Sequence, residues 1–171
     1  EFSNNSIGIM LNPNPNLVTI QDNIFHVGYN DPDKGICGIS QSFGIYLYSS
    51  NTFVIEDNHF DKYTQAPSAG EYFGIRADNT QTTNDEIFRN TFSGLNFANY
   101  AIDKNYAQYP YHGLEYICNA HVFNANDLFF TNSNGSSNTG VQQSQGNINK
   151  STGNTFTQNI SGFNLYNNTG F

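Results

Sequence analysis

The chain of 171 residues is long enough for one domain with a substantial core or for several turns of a stacked repeat. Its 14 acidic and 6 basic residues give a formal net charge of −8, which argues against nucleic acid and anionic membrane surfaces as partners. Asn occupies about a sixth of the positions and helix-forming residues are scarce, so the composition predicts an all-β protein.

Four segments repeat one pattern, in which an apolar strand leads into a turn containing Asn and then to an aromatic residue. They cover residues 18–25, 53–60, 85–92 and, in degenerate form, 114–119. The turn asparagines Asn23, Asn58, Asn90 and Asn119 are separated by 35, 32 and 29 residues. Repeats in this range are typical of solenoids. We therefore predict that these asparagines are structural: they form turns, tolerate the left-handed conformation and hydrogen-bond one another as a ladder.

A second pattern, Gly-Ile-x-Leu, runs in phase with the first. It starts at Gly8, Gly44 and Gly74, and a weaker copy starts at Ala101. Together the two patterns predict a right-handed parallel β-helix of about five coils, with three short strands in each coil. An ordinary β-sandwich is the alternative, but it would not require asparagines in phase.

The tail, residues 131–171, is poorer in apolar residues and repeats the turn signature at Asn154-Thr155-Phe156. We predict one β-helix domain over residues 1–171, with residues 131–171 as an irregular last coil and the chain as a fragment of a longer protein. No apolar run approaches the roughly 20 residues of a membrane span, so we predict no membrane insertion. Cys37 and Cys118 form a disulfide if the loop 27–42 folds along the stack, or stay reduced; the sequence leaves both alternatives open.

Three segments of the last third resemble a block found in the β-helix regions of large secreted proteins of Bacteroidota-type bacteria. They are residues 113–119, 140–146 and 153–156. The resemblance implies export by the type IX secretion system and an extracellular or cell-surface location. Such relatives often carry a second Cys after the Gln-Gly pair, where this chain has Asn147, so their usual bridge is missing and Cys118 is unassigned. The resemblance implies no activity for particular residues.

The outward positions of the Gly-Ile-x-Leu sheet hold the candidate binding residues. The predicted columns are Met10, Tyr46, Arg76 and Asp103, and beside them Asn12, Tyr48, Asp78 and Asn105. Tyrosine rings can stack on sugars, and neighbouring polar groups can bind their hydroxyls. We therefore select Tyr46, Tyr48, Arg76, Asp78 and Asp103 as binding residues, and assign no catalytic residue, metal site or cofactor. The histidines lack metal-ligand spacing, and His59 and His121 are expected to face outward or to lie at turn edges.

These features predict a non-enzymatic extracellular module, a rigid stalk or adhesin scaffold. Its expected partners are glycans, other surface proteins or neighbouring coils of a parent chain. The alternative is a polysaccharide lyase or glycoside hydrolase on the same fold. That alternative requires Arg76, Asp78 and Asp103 to converge in a cleft, with Ca²⁺ bound by several carboxylates.

Overall fold

The computed structural model describes residues 1–13, 16–29, 41–80, 85–106, 113–133, 140–142, 145–146, 151–157 and 162–169. Within these ranges the chain forms sixteen short strands and no helix, and the strands pair in parallel in three sheets. The prediction of an all-β parallel β-helix is therefore confirmed. The same ranges contain no helix long and apolar enough to cross a membrane.

Sheet A takes one strand from each of six successive coils. Its strands are β1 (Phe2–Asn5), β4 (Ile24–Val27), β7 (His59–Lys62), β10 (Thr91–Ser93), β13 (Ala120–Val122) and β15 (Thr155–Phe156). Sheet B contains β2 (Ile7–Leu11), β5 (Gln41–Tyr48), β8 (Glu71–Asp78), β11 (Phe97–Ile102), β14 (Asn126–Thr131) and β16 (Phe163–Asn167). Both sheets follow the chain order, as expected when each coil stacks on the previous one.

Sheet C closes the first four coils. Its strands are β3 (Val18–Gln21), β6 (Phe53–Glu56), β9 (Asp85–Phe88) and β12 (Leu114–Ile117). We number the coils by their sheet A strand, so that coil 1 begins with β1 and coil 6 with β15. In coil 5 the described residue Gln145 bonds to β12 through its side chain: Oε1 accepts from Tyr116 N–H (2.7 Å) and Nε2 donates to the Leu114 carbonyl (3.1 Å). This side-chain amide pairs with the outer edge of β12 as a peptide group would.

The four predicted asparagines lie in the turn between sheets C and A, and Asn154 continues their column. Each side-chain amide donates to the Oδ1 of the next asparagine along the stack, at distances of 3.2, 3.0, 3.2 and 3.3 Å. The left-handed conformation, however, falls on the residue before each asparagine. Asp22, Asp57, Arg89 and Cys118 have φ values of 58°, 55°, 54° and 55°. The asparagine is thus left free to bond both neighbouring coils.

A ladder of rings follows the asparagines on the inner face of sheet A. Phe2, Phe25, Phe60 and Phe92 stack with nearly parallel planes and centroids 4.7–4.9 Å apart. His121 and then Phe156 continue the stack at 5.3 and 5.0 Å. These spacings match the roughly 4.8 Å separation of paired strands, so register in sheet A places the rings face to face.

Glycines in sheet B make room for this ladder. A Cβ on Gly44 would lie 2.7 Å from Phe60 Cδ1 and 2.7 Å from the Gly74 carbonyl oxygen, and Gly74 faces Phe92 in the same way. Gly44 therefore points into the core beside Ile45, so that Phe43 and Tyr46 both face outward. The strand pairing aligns Ala98 and Asp127 with these glycines in the later coils.

Candidate binding face on sheet B

The outward face of sheet B carries two columns of side chains along the helix axis. The column that contains Tyr46 and Arg76 comprises Met10, Tyr46, Arg76, Tyr100, Phe129 and Tyr166. The parallel column comprises Ile7, Phe43, Phe73, Phe97, Asn126 and Phe163. The two columns form a face that is largely aromatic, which we call the sheet B face.

Four of the five predicted binding residues come together on this face. Tyr46 pairs in register with Arg76, and Tyr48 pairs with Asp78. The Tyr46 hydroxyl lies 3.4 Å from Asp78 Oδ2, and an Arg76 guanidinium nitrogen lies 3.6 Å from the same oxygen. The prediction that these side chains share one surface follows from strand alternation, and the structure places them in direct contact.

Asp103, the fifth predicted binding residue, lies near this group but in the turn after β11. The strand pairing puts Tyr100 next to Arg76 and Ile102 next to Asp78, so the predicted register of the fourth Gly-Ile-x-Leu copy is wrong by three residues. Asp103 instead occupies the following turn with φ of 60°, and its carboxylate accepts from the Ser133 N–H (2.7 Å) and hydroxyl. Asn105, predicted to face outward, is buried and its Oδ1 accepts from Thr80 N–H and Oγ1.

The Arg76 guanidinium is enclosed by aromatic rings. Its Cζ lies 5.1 Å from the ring centroid of Tyr46, 5.7 Å from that of Phe43 and 5.8 Å from that of Tyr100. Its side chain is 20% exposed, and that of Asp78 is 14% exposed. Burial raises the pKa of Asp78, Arg76 opposes this rise, and the nearby Asp103 carboxylate adds to it. The arginine thus acts mainly as an internal counter-charge and a cation–π partner.

Most rings of the face cover one another. Phe73 stacks on Phe97 at 4.8 Å with an interplanar angle of 7°, and Phe129 stacks on Tyr166 at 4.3 Å and 11°. Stacked rings present their edges outward, whereas a sugar packs against a ring face. Tyr48 differs, because its side chain is 46% exposed and its ring meets that of Tyr46 edge-on at 6.4 Å. Tyr48 is therefore the ring of the predicted set best placed to receive a sugar.

The described residues contain no group of three or more His, Cys, Asp or Glu side chains that could hold a metal ion. A calcium-dependent active site would need such a group of carboxylates. Elsewhere in the described chain, Asp57 forms a two-point ion pair with Arg89, one bond being Arg89 Nε to Asp57 Oδ1 at 2.9 Å. Asp61 bonds His26 Nδ1 at 2.6 Å and lies 3.4 Å from His59 Nε2.

The structure also locates the sulfur and histidine residues considered in the sequence. Cys118 carries a free thiol and is half-buried in the turn after β12, whereas Cys37 lies outside the described residues. His59 faces outward from sheet A, with its side chain 44% exposed. The expectation for His121 is wrong, because His121 is buried within the ring ladder. A signal for this existed: His121 follows Asn119 by two residues, as Phe60 follows Asn58 and Phe92 follows Asn90.

Sequence reasoning missed Phe43, Phe73, Tyr100 and Phe129 as members of the sheet B face. Phe43 and Phe73 precede the glycines of the repeat, and simple alternation assigns them to the interior. The inward glycine reverses their direction, which the sequence pattern alone does not reveal. Comparisons with protein-family models, with curated proteins and with solved structures find no match to this chain.

Proposed function

We propose that this chain is a non-enzymatic extracellular β-helix module, a rigid stalk or adhesin scaffold that presents the sheet B face to a glycan or a partner protein. The observation that carries the proposal is the contact between Arg76 and Asp78 under the surrounding rings. The charged groups that an enzyme would direct at a substrate here lie against each other, with an Arg76 guanidinium nitrogen 3.6 Å from Asp78 Oδ2. The extracellular location rests on the resemblance of the last third to type IX secretion substrates and stays a proposal.

Rigidity is supported by ladders that repeat from coil to coil. The asparagine ladder, the inner ring ladder and the outer aromatic columns each connect successive coils through the same contact. In solenoids, such nearest-neighbour contacts determine stability and limit bending between repeats. A stack held in this way is suited to hold a binding surface at a fixed distance and orientation.

Glycan contact is centred on Tyr48. Its exposed ring offers a stacking surface, and the neighbouring Asp78 carboxylate and Tyr46 hydroxyl can bond sugar hydroxyls. The lyase or hydrolase alternative requires free carboxylates and a free base. In this chain Asp103 accepts bonds from Ser133 and Asp78 contacts Arg76, so neither carboxylate is free to act alone.

The test is a glycan array together with a panel of neutral and acidic polysaccharides, incubated with and without Ca²⁺. We expect binding that Tyr48→Ala abolishes and that Phe123→Ala leaves intact. Phe123 is a matched control because it is an exposed aromatic, 71% accessible, that lies outside sheet B. Release of unsaturated or reducing ends, lost in Asp78→Asn, would instead establish the enzyme alternative.

A further inference from the structure

Polar residues enter the apolar interior of the β-helix in coils 4 and 5. At positions aligned by strand pairing, Ile45 and Ile75 of coils 2 and 3 give way to Asn99 in coil 4. Ile55 and Ile87 give way to Tyr116, and Phe60 and Phe92 give way to His121. Asp127 takes the place of the inward glycines. The core of coils 4 and 5 therefore contains polar groups contributed by all three sheets.

These four residues are fully enclosed and lack protein partners for several atoms. Asn99 is 0% exposed, and Tyr116, His121 and Asp127 are each 1% exposed. Within the described chain, both amide atoms of Asn99, the Tyr116 hydroxyl, both ring nitrogens of His121 and Asp127 Oδ2 make no hydrogen bond. Folded proteins pair nearly all such groups, with protein or with ordered water, because an unpaired buried polar atom is costly.

The contacts of His121 show where a partner would fit. Its ring faces are occupied by Phe92 and Phe156, so both nitrogens lie at the edge of the stack. Its Nδ1 is 3.8 Å from Asp127 Oδ1, too far for a direct hydrogen bond. Asp127 Oδ1 is held by Asn124 Nδ2 at 3.0 Å, which fixes the carboxylate in this position. Because the two groups do not reach each other directly, each needs another partner, and water is the smallest molecule that offers both a donor and acceptors.

We propose that the interior of coils 4 and 5 is a closed binding site for ordered water molecules, lined by Asn99, Tyr116, His121 and Asp127. Water fits because the lining offers both donors and acceptors, and each bound water can make two to four hydrogen bonds. An ion does not fit, because the lining supplies a single carboxylate, and a buried charge needs a paired and hydrogen-bonded partner. The described residues also assemble no group of three metal-binding acidic, histidine or cysteine side chains.

The water site distinguishes the upper coils from coils 2 and 3, where the aligned residues are isoleucine, phenylalanine and glycine. The double variant Asn99→Ile/His121→Phe restores the residues of coil 3. It removes four unpaired atoms, namely both amide atoms of Asn99 and both ring nitrogens of His121. Its expected effect is a smaller number of long-lived internal waters. His59→Phe is a matched control because His59 lies in the same sheet but faces outward.

The experiment is water-¹⁷O magnetic relaxation dispersion on the purified chain, which counts long-lived internal waters, with circular dichroism as a check of folding. We expect long-lived waters in the wild type and in His59→Phe, and fewer in the double variant. An unchanged count in a folded double variant would overturn the proposal. A high-resolution crystal structure of the wild type provides a second test that needs no variant. Water within hydrogen-bond distance of Asn99 and His121 would support the site, and a dry interior or a metal ion there would contradict it.

Discussion

Asn58 donates from its backbone N–H and from its side-chain Nδ2 to the same oxygen, Asn90 Oδ1, at 2.9 and 3.0 Å. Asn90 in turn donates from Nδ2 to the Ile55 carbonyl at 2.8 Å and to Asn119 Oδ1. One amide thus bonds the coils below and above it. Both residues are buried, so these bonds replace water that the turn cannot reach.

Replacing Asn90 with alanine is therefore expected to destabilise the protein by about 3 kcal/mol, because several buried donors and acceptors lose their partner at once. Asn23→Ala is the matched control. Asn23 lies at the start of the column and is half-buried, so we expect less than half of that cost. The measurement is urea unfolding followed by circular dichroism. Equal costs at both positions would show that the column does not act through buried hydrogen bonds.

Gly44→Ala tests the close packing of sheet B against the inner ring ladder. The added Cβ would lie 2.7 Å from both Phe60 Cδ1 and the Gly74 carbonyl, so we expect a loss of about 3 kcal/mol. Gly94→Ala is the control, because a Cβ there meets nothing within 4 Å and strain comes only from its φ of +68°. That strain costs about 1 kcal/mol. If Gly94→Ala lowers the free energy of unfolding more than Gly44→Ala does, backbone strain rather than steric overlap determines the cost at these positions.

The sequence predicts the stacked architecture because every coil needs the same turn. Asn23, Asn58, Asn90 and Asn119 recur in phase, and each is required by its neighbours in the stack. The register of the fourth sheet B strand is not predicted. Asn99 stands where the pattern requires Ile, and Ile102 lies three positions further on, so the hydrophobic pattern predicts a start at Ala101 instead of Ala98. A buried polar residue hides the repeat from any reading based on hydrophobicity.

The candidate site is predicted in part for the same reason. Tyr46, Tyr48, Arg76 and Asp78 lie in two regular copies of Gly-Ile-x-Leu, where alternation places their side chains outward. Asp103 depended on the misaligned copy and lies in a turn instead. The enclosure of Arg76 by Phe43 and Tyr100 depends on the inward glycine and on the true register, which are properties of the folded stack.

Removing the guanidinium of Arg76 should leave the buried Asp78 carboxylate without its counter-charge and so destabilise the folded protein. Burial already raises the pKa of Asp78 and Arg76 opposes the rise, so Arg76→Ala should raise that pKa further. When the pKa of a carboxyl is higher in the folded state than in the unfolded state, the protein loses stability as pH rises through the folded pKa. We therefore expect Arg76→Ala to cost about 2 kcal/mol at pH 7 and less at pH 4. Urea unfolding at both pH values measures this difference.

The double variant Arg76→Ala/Asp78→Asn provides the control for that interpretation. Without the carboxylate, the cost of losing Arg76 should be nearly the same at pH 4 and pH 7, and only the lost ring contacts should contribute. A pH dependence that persists in the double variant would assign the effect to a group other than Asp78.

His121 and Asp127 are expected to give stability opposite dependences on pH. Burial lowers the pKa of His121 to about 4, below its ordinary value of 6.5, so the unfolded state binds more protons and stability is lost as pH falls from about 6.5 to about 4. Burial raises the pKa of Asp127 to about 6, so the folded state binds more protons and stability is lost as pH rises from about 4 to about 6. In the wild type the two effects largely cancel.

Single variants separate the two contributions. Relative to the wild type, His121→Phe should become more stable as pH falls from 6.5 to 4, because it has no buried imidazole that must be protonated on unfolding. The stability of Asp127→Asn relative to the wild type should be highest near pH 7 and should decrease towards pH 4. Across this pH range, the difference in free energy of unfolding between each variant and the wild type should change by roughly 2–3 kcal/mol, because one pKa unit corresponds to about 1.4 kcal/mol. The free energy of unfolding in urea, measured for the three proteins between pH 4 and 7, tests the signs. Parallel slopes for the two variants would contradict the burial of both groups in one site.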